Sequence, residues 1–316
     1  MRICFRVFFS VCLFALAFSS GCAHLKMPKP LAFWRGHHSD DVRSKAEAGD
    51  PASQYMLGFS LLYGDGIQRN IDEALMWLRK SGDGGYLKAQ AALGLLFVKG
   101  MPDVPVNLAE AVKWLEKAAA QGNAAAQANL GSLYLSQESS VRDPEAGVVW
   151  LKRAAEQGDA TAQLALALMY HKGLVVAVND TESVRWYRKA AEQGHKEGQT
   201  NLGIAYYRGK GLPQSFDEAL KWFQLAAAQN SAVAMSNLGL MYWRGEGVAK
   251  DAKQAVEWFR KAAENGNSDG QCNLGSAYYL GNSVEQDYTA ALKWFKAAAE
   301  QGHSLAQFRL GYMYAM

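Results

Sequence analysis

The chain has 316 residues, 49% of them hydrophobic and 20% charged. That length exceeds one typical compact domain, and the composition excludes both a disordered chain and a polytopic membrane protein. The formal charge is +3 at pH 7, and loss of Arg2 and Arg6 with an N-terminal leader would take the 33 basic residues to 31 against 30 acids, a balance too even for general nucleic-acid binding, which needs a basic face to displace counterions.

Residues 1–21 read as a signal peptide. Arg2 and Arg6 form a positive n-region, and Val7 to Phe18 is an apolar run of twelve residues. Such a run suits a signal core and is too short to span a bilayer as a helix. Ser19, Ser20 and Gly21 then lead into Cys22. Small residues directly before a cysteine resemble a bacterial lipobox, which implies cleavage before Cys22 and lipid attachment to that residue. Ser19 departs from the pattern, which usually has Leu there. The alternative is ordinary cleavage nearby, with Cys22 a bystander. Ala23, where an Asp would favour retention, implies by the same resemblance the periplasmic side of the outer membrane. A soluble periplasmic or secreted protein goes with the alternative. Residues 22–38 carry Pro28 and Pro30 without periodicity and read as anchor and tether. His37-His38 with Asp40-Asp41 have metal-binding chemistry, but two adjacent histidines in a linker cannot fix a coordination geometry. No metal and no cofactor is expected.

From residue 39 to 316 the chain is periodic. Trp77, Trp114, Trp150, Trp186, Trp222, Trp258 and Trp294 are separated by 37 residues and then by 36 five times. Self-similarity at such a period marks a repeat architecture. Seven residues before each Trp stand Asn70, Asn107, Asp143, Asn179, Ser215, Asp251 and Asp287, all preferred helix N-caps. Ala255, Trp258, Phe259 and Ala262 follow the i, i+3, i+4, i+7 spacing of one helix face. The helix stops at Gly85, Gly122, Gly158, Gly194, Asn230, Gly266 and Gly302. A left-handed residue after the helix explains this column, since Gly adopts it without strain and Asn is the usual substitute. A preceding helix in each unit carries Leu57-Gly58, Leu93-Gly94, Leu130-Gly131, Leu166-Ala167, Leu202-Gly203, Leu238-Gly239, Leu274-Gly275 and Leu310-Gly311. Mid-helix Gly costs about 1 kcal/mol against Ala, so its recurrence predicts close helix–helix approach. The aromatic three residues later, from Phe97 and Tyr134 to Tyr278 and Tyr314, is expected to pack on the next helix. Cys272 falls among small helix-face positions and reads as a core residue.

Gly245-Glu246-Gly247-Val248, Leu238-Gly239-Leu240-Met241-Tyr242, Trp258, Lys261-Ala262-Ala263 and Gly266 together resemble the Sel1-like repeat, a relative of the tetratricopeptide repeat. The resemblance covers about residues 40 to 316, seven full repeats with a half at either end. It implies an all-α fold, a right-handed α-solenoid of helix-turn-helix repeats. The last half-unit would leave Leu310, Tyr312, Met313 and Tyr314 partly uncovered, so the chain is a fragment or this end meets a partner or another copy.

Motifs for chemistry are scarce. Gly266-Asn267-Ser268-Asp269-Gly270 has the nucleophile-elbow spelling, but it falls in an inter-repeat turn rather than between a strand and a helix. Gly64-Asp65-Gly66 and Gly209-Lys210-Gly211 look phosphate-binding but recur as the turn inside a repeat. Some cysteine-rich Sel1-like proteins are linked to β-lactam binding or hydrolysis. The paired cysteines of those relatives are missing here, so that enzyme class ranks last.

Helical solenoids expose a groove lined by the first helix of each unit. Two columns are placed there by resemblance to tetratricopeptide grooves. One is Asn129, Asn201, Asn237 and Asn273, followed by Arg309. Asn donates and accepts, which suits an extended backbone or a terminal carboxylate. The alternative is a bond to a neighbouring helix. The other column is His171-Lys172, Tyr207-Arg208, Trp243-Arg244 and Tyr279. Aromatics beside bases could stack sugars or grip acidic peptides, the alternative being solvated helix ends. The expected function is a non-catalytic adaptor at the bacterial cell envelope, holding a peptide segment of a protein partner in the concave groove and touching the membrane only through its lipid. An exopolysaccharide- or peptidoglycan-associated scaffold is the alternative.

Overall fold

A computed structural model describes residues 39–315. The signal segment, the Cys22 lipid site and nearly all of the tether lie outside the described residues. The described residues fold as two compact units divided between residues 166 and 167.

The first unit opens with α1 (Ser39–Glu47), the half-repeat that precedes the first full one. Three helix pairs follow: α2 (Pro51–Tyr63) with α3 (Ile71–Asp83), α4 (Leu87–Lys99) with α5 (Leu108–Ala120), and α6 (Ala124–Leu135) with α7 (Pro144–Glu156). The division falls inside α8 (Ala160–Lys172), the first helix of repeat four. The second unit continues with α9 (Asp180–Glu192), α10 (Lys196–Arg208) with α11 (Phe216–Ala228), and α12 (Ala232–Arg244) with α13 (Ala252–Glu264). It closes with α14 (Ser268–Leu280), α15 (Tyr288–Glu300) and α16 (Ser304–Ala315). In both units successive helices pack in chain order, the pattern of an α-solenoid.

Each column of the sequence has a job. All seven predicted N-caps accept from the backbone N–H three residues on, at 2.9 to 3.3 Å. All seven helix stops have positive φ, Asn230 at 62° among them. A methyl on Gly58, Gly94 or Gly131 would stand 2.6–2.8 Å from the Leu that follows the repeat Trp, and one on Gly203, Gly239 or Gly275 would stand 2.5–2.9 Å from a Phe there. The glycine therefore admits the second helix of its own repeat. Gly311 has no such neighbour within 4 Å. The Lys three residues after the repeat Trp lies over the indole, Lys80, Lys117, Lys189 and Lys261 standing 4.3–4.6 Å from the Trp ring centres.

The repeat aromatic is placed differently from the expectation. Its hydroxyl reaches back to the preceding repeat's second helix: Tyr134 donates to Glu116 Oε1 at 2.8 Å, and Arg188 donates to Tyr206 at 2.8 Å. The carbonyl of the same residue accepts from the N-cap N–H of the next helix, as in Asn107 to Phe97 at 2.9 Å and Asp251 to Tyr242 at 2.9 Å. This bond closes the turn inside each repeat.

A glutamine ladder was not read from the sequence. Gln90, Gln127, Gln199 and Gln271 are buried in first helices. Each donates to a carbonyl eight residues back, at the end of the preceding helix. Each also accepts from the Gln, 30 or 31 residues later, that stands before the helix-stop residue, at 2.7–2.8 Å. Orphan carbonyls at helix ends need such donors. Cys272 is fully buried, as its position predicted.

Candidate functional site

The asparagine column is buried. Asn129, Asn201 and Asn237 each donate to the carbonyl four residues back in their own helix, at 2.7–2.9 Å. The donors go neither to a neighbouring helix nor outward. Asn273 differs: its Oδ1 is buried with no hydrogen-bond partner. Arg309 occupies the same column, is buried, and donates to the Ser276 hydroxyl while its guanidinium lies 5.6 Å from the Phe295 ring centre.

The second column joins consecutive repeats. The Tyr207 hydroxyl donates to Glu246 Oε2 at 2.5 Å and accepts from Arg244 Nη1 at 2.6 Å. Its ring meets Phe216 edge-on at 5.5 Å. Burial pushes its hydroxyl up to about 12. Tyr279 meets Tyr288 in the same way at 5.4 Å. Trp243 is half-buried beside these and Arg244 is exposed.

Repeat four breaks the pattern. One repeat earlier, His171 and Asp180 stand where Tyr207 and Phe216 stand. Asp180 Oδ1 lies 3.3 Å from His171 Nδ1 and 3.1 Å from Lys210 Nζ. Lys210 in turn occupies the position of Glu246, so a base stands where the next repeat has an acid. The turn that carries Lys210 is pressed against α9, with Gly211 against the Asp180 backbone at φ +78°. Only Gly fits there.

A cleft of about 320 Å³, counting space open to solvent, lies at this point. His171, Asp180, Tyr187, Asn201, Arg208 and Lys210 line it, over an apolar floor of Val184, Ile204 and Ala205. The structure thus brings three predicted residues, His171, Asn201 and Arg208, into one site. Lys172, Trp243 and Tyr279 are not among its lining, and neither are the other asparagines. Burial holds the His171 imidazole below its ordinary pKa; Lys210 adds to that and Asp180 opposes it. Burial likewise lowers the Arg208 guanidinium. The Tyr187 hydroxyl is buried without a hydrogen-bond partner. Ser183 lies beside it, gives its proton to the Ala167 carbonyl at 2.8 Å, and its oxygen faces the tyrosine as an acceptor. Burial raises the Tyr187 pKa above its ordinary value.

Asp180, Tyr187 and Lys210 were not read as site residues. The available signal was the exchange of an aromatic pair for His and Asp at one repeat of a regular column.

Among the described residues no helix is long and apolar enough to cross a membrane, and no cluster of three His, Cys, Asp or Glu side chains could hold a metal. Repeated helix pairs packed in chain order define a tetratricopeptide-like repeat scaffold for protein interaction. The chain belongs to the Sel1 repeat family, whose profile matches residues 51–86, 87–123, 124–159, 160–195, 196–231, 232–267, 268–303 and 304–316. It is 31% identical to a Sel1 repeat protein from Oxalobacter formigenes, over 94% of this chain and 85% of that one, with a TM-score of 0.70. It is 33% identical to a protective antigen present in uropathogenic Escherichia coli strains, over 87% of this chain and 67% of that one, with a TM-score of 0.55. Comparison with curated proteins gave no significant match.

Proposed function

We propose that the protein is a non-catalytic adaptor of the bacterial cell envelope, which holds a peptide segment of a partner along its first-helix face in repeats four to seven. The observation that carries this reading is the contrast between columns. Caps, stops, glycines and the glutamine ladder repeat with little change. His171, Trp243 and Tyr279 are only partly buried and differ in chemistry, as a surface selected for one partner would. Phe308, Tyr312 and Tyr314 on α16 are exposed, at 71%, 47% and 68%, and supply a second surface for protein contact in the same reading.

Crosslinked pull-down from envelope fractions tests the adaptor. A protein partner retained by the wild type and lost when Trp243 and Tyr279 are both changed to Ala supports it. Retention of exopolysaccharide or peptidoglycan with no protein partner replaces it with a glycan scaffold.

The lipobox-like run before Cys22 supports attachment through a lipid on that residue, with the repeats on the periplasmic side of the outer membrane. Labelled fatty acid is expected to enter the wild-type protein and not a Cys22→Ser variant. Equal labelling of the two would refute the anchor.

A further inference from the structure

We infer that the apolar turn inside repeat four, residues 173–178, enters the headgroup region of a phospholipid bilayer and gives the protein a membrane contact besides the lipid on Cys22. This goes beyond the adaptor reading and takes from it only the presence of a bilayer at the envelope.

Repeats one, four, five, six and seven join their two helices by a turn of the same form. A left-handed Gly opens it, at Gly64, Gly173, Gly209, Gly245 and Gly281, and the N-cap follows six residues later. The second residue is Asp65, Lys210, Glu246 and Asn282 in four of these turns, but Leu174 in repeat four. The third is Gly66, Gly211, Gly247 and Ser283, but Val175 in repeat four. The last is Arg69, Gln214, Lys250 and Gln286, but Val178 in repeat four. With Val176 and Ala177 between them, the run is Leu-Val-Val-Ala-Val.

Two of these exchanges give up a folding device. Val175 has a φ of 63°, where Gly rests without strain and a β-branched residue does not. The last turn residue of repeats one, five and seven donates to a carbonyl at the end of the first helix: Arg69 to Leu62 at 3.1 Å, Gln214 to Tyr207 at 2.8 Å and Gln286 to Tyr279 at 2.9 Å. Val178 has no side-chain donor for this task. Burial does not offset either loss, because Val175 is 52% and Val178 60% exposed. Ala177 is exposed between them. Strain that the fold does not need, spent on exposed aliphatic groups, marks an interaction surface.

The chemistry of the turn selects the occupant. No side chain from 173 to 178 can hydrogen-bond or carry a charge, so the tip has only aliphatic surface to offer. Bases flank it, with Lys172 directly before it and Lys210 at the second position of the next repeat's turn. Lysines beside an aliphatic tip suit a bilayer boundary, where the ammonium groups meet phosphate oxygens and the aliphatic groups enter the acyl edge. At that depth headgroups and water still satisfy the backbone of the turn. Asp180 lies 3.1 Å from Lys210 and offsets part of the positive charge. The aliphatic tip therefore carries the contact, and the contact should survive high salt.

A fluorescent, environment-sensitive amino acid placed at Ala177 of the full-length protein tests this. The vesicles are phosphatidylethanolamine with phosphatidylglycerol, with or without bromine on the acyl chains near the headgroup. Emission from 177 is expected to shift to the blue and to fall by about half on brominated vesicles, and to do so still at about 1 M salt, where the screening length is about 3 Å. The same residue at Met76 or Leu225 should show neither change. Leu174→Asp, Val175→Gly and Val178→Arg together restore the turn of repeat one. That variant is expected to lose the quenching while its unfolding midpoint stays the same or rises. Unquenched emission from 177, or quenching retained in the triple variant, would overturn the inference. So would a lower unfolding midpoint in that variant, which would give the aliphatic groups a folding role, or a protein crosslinked from 177 in envelopes with no quenching by lipid. Fatty-acid labelling without quenching at 177 removes this inference and leaves the anchor standing. Quenching at 177 in a protein that captures no envelope partner keeps the turn and removes the adaptor.

Discussion

Phe259→Ala is expected to lower the unfolding free energy by about 3–5 kcal/mol, the usual range for deleting a buried ring. Phe259 is 1% exposed and packs with Leu240, Val256, Leu274 and Ala277 in the core of repeats six and seven. Its ring covers Gly239. A methyl at residue 239 would stand 2.5 Å from two ring carbons and 3.1 Å from the Ala255 carbonyl oxygen. Overpacking of that kind costs about 1–3 kcal/mol, against about 1 kcal/mol gained in helix propensity when Ala replaces Gly. Gly239→Ala is therefore expected to destabilise the wild type. In the Phe259→Ala background the ring is gone, and the same change should stabilise by up to about 1 kcal/mol. Urea unfolding of the four proteins reads the reversal of sign. Strictly additive effects would show that the glycine serves some purpose other than admitting the ring.

The glutamine ladder carries the second large effect. Gln127 is buried, donates to the Ala119 carbonyl at 3.0 Å and accepts from Gln157 at 2.7 Å. Gln127→Met keeps the volume and removes both bonds. The stranded carbonyl should cost about 1–3 kcal/mol. Repeat six shows how the pair can be exchanged together. Met235 stands at the Gln position, and Asn265 replaces the partner and donates to Lys261 in its own helix at 2.8 Å. Adding Gln157→Asn to Gln127→Met should recover part of the loss, because the shorter amide turns back to its own helix. Wild-type stability in Gln127→Met alone would mean that the ladder is incidental.

Most of the fold was legible because its constraints are local. A cap bonds three residues ahead, and a left-handed stop depends on one φ angle, so Asn70 and Gly122 can be read from their neighbours in sequence. The Leu-Gly column was legible for another reason: a costly residue repeated without a local purpose implies a packing one. The ladder was not legible because Gln127 and Gln157 are 30 residues apart and each is unremarkable in a helix. The backward reach of Tyr134 and Tyr206 is a contact between repeats, 18 residues apart in sequence, which spacing alone does not convey.

The candidate site was legible in part. His171, Asn201 and Arg208 stood out by position in their columns, and the cleft unites them. Tyr187 was hidden among the residues that cover the glycines, where a tyrosine reads as one more aromatic. Asp180 and Lys210 were hidden because each lies in a column that is structural elsewhere. Asn129 and Asn237 were read as ligand donors, but their amides go to their own helices. That use of the amide shows only when burial and bond geometry are known.

The central claim is that the first-helix face of repeats four to seven is the binding surface, since the recurring columns are occupied by folding. Site-specific photo-crosslinking in envelope preparations tests it most directly. A photoreactive residue placed at Arg208, Trp243 or Tyr279 is expected to capture a common partner. The same residue at Met76 or Leu225, exposed on second helices at 41% and 43%, should capture none. Crosslinks to the partner from Met76 or Leu225, with none from Arg208, Trp243 or Tyr279, would contradict the claim.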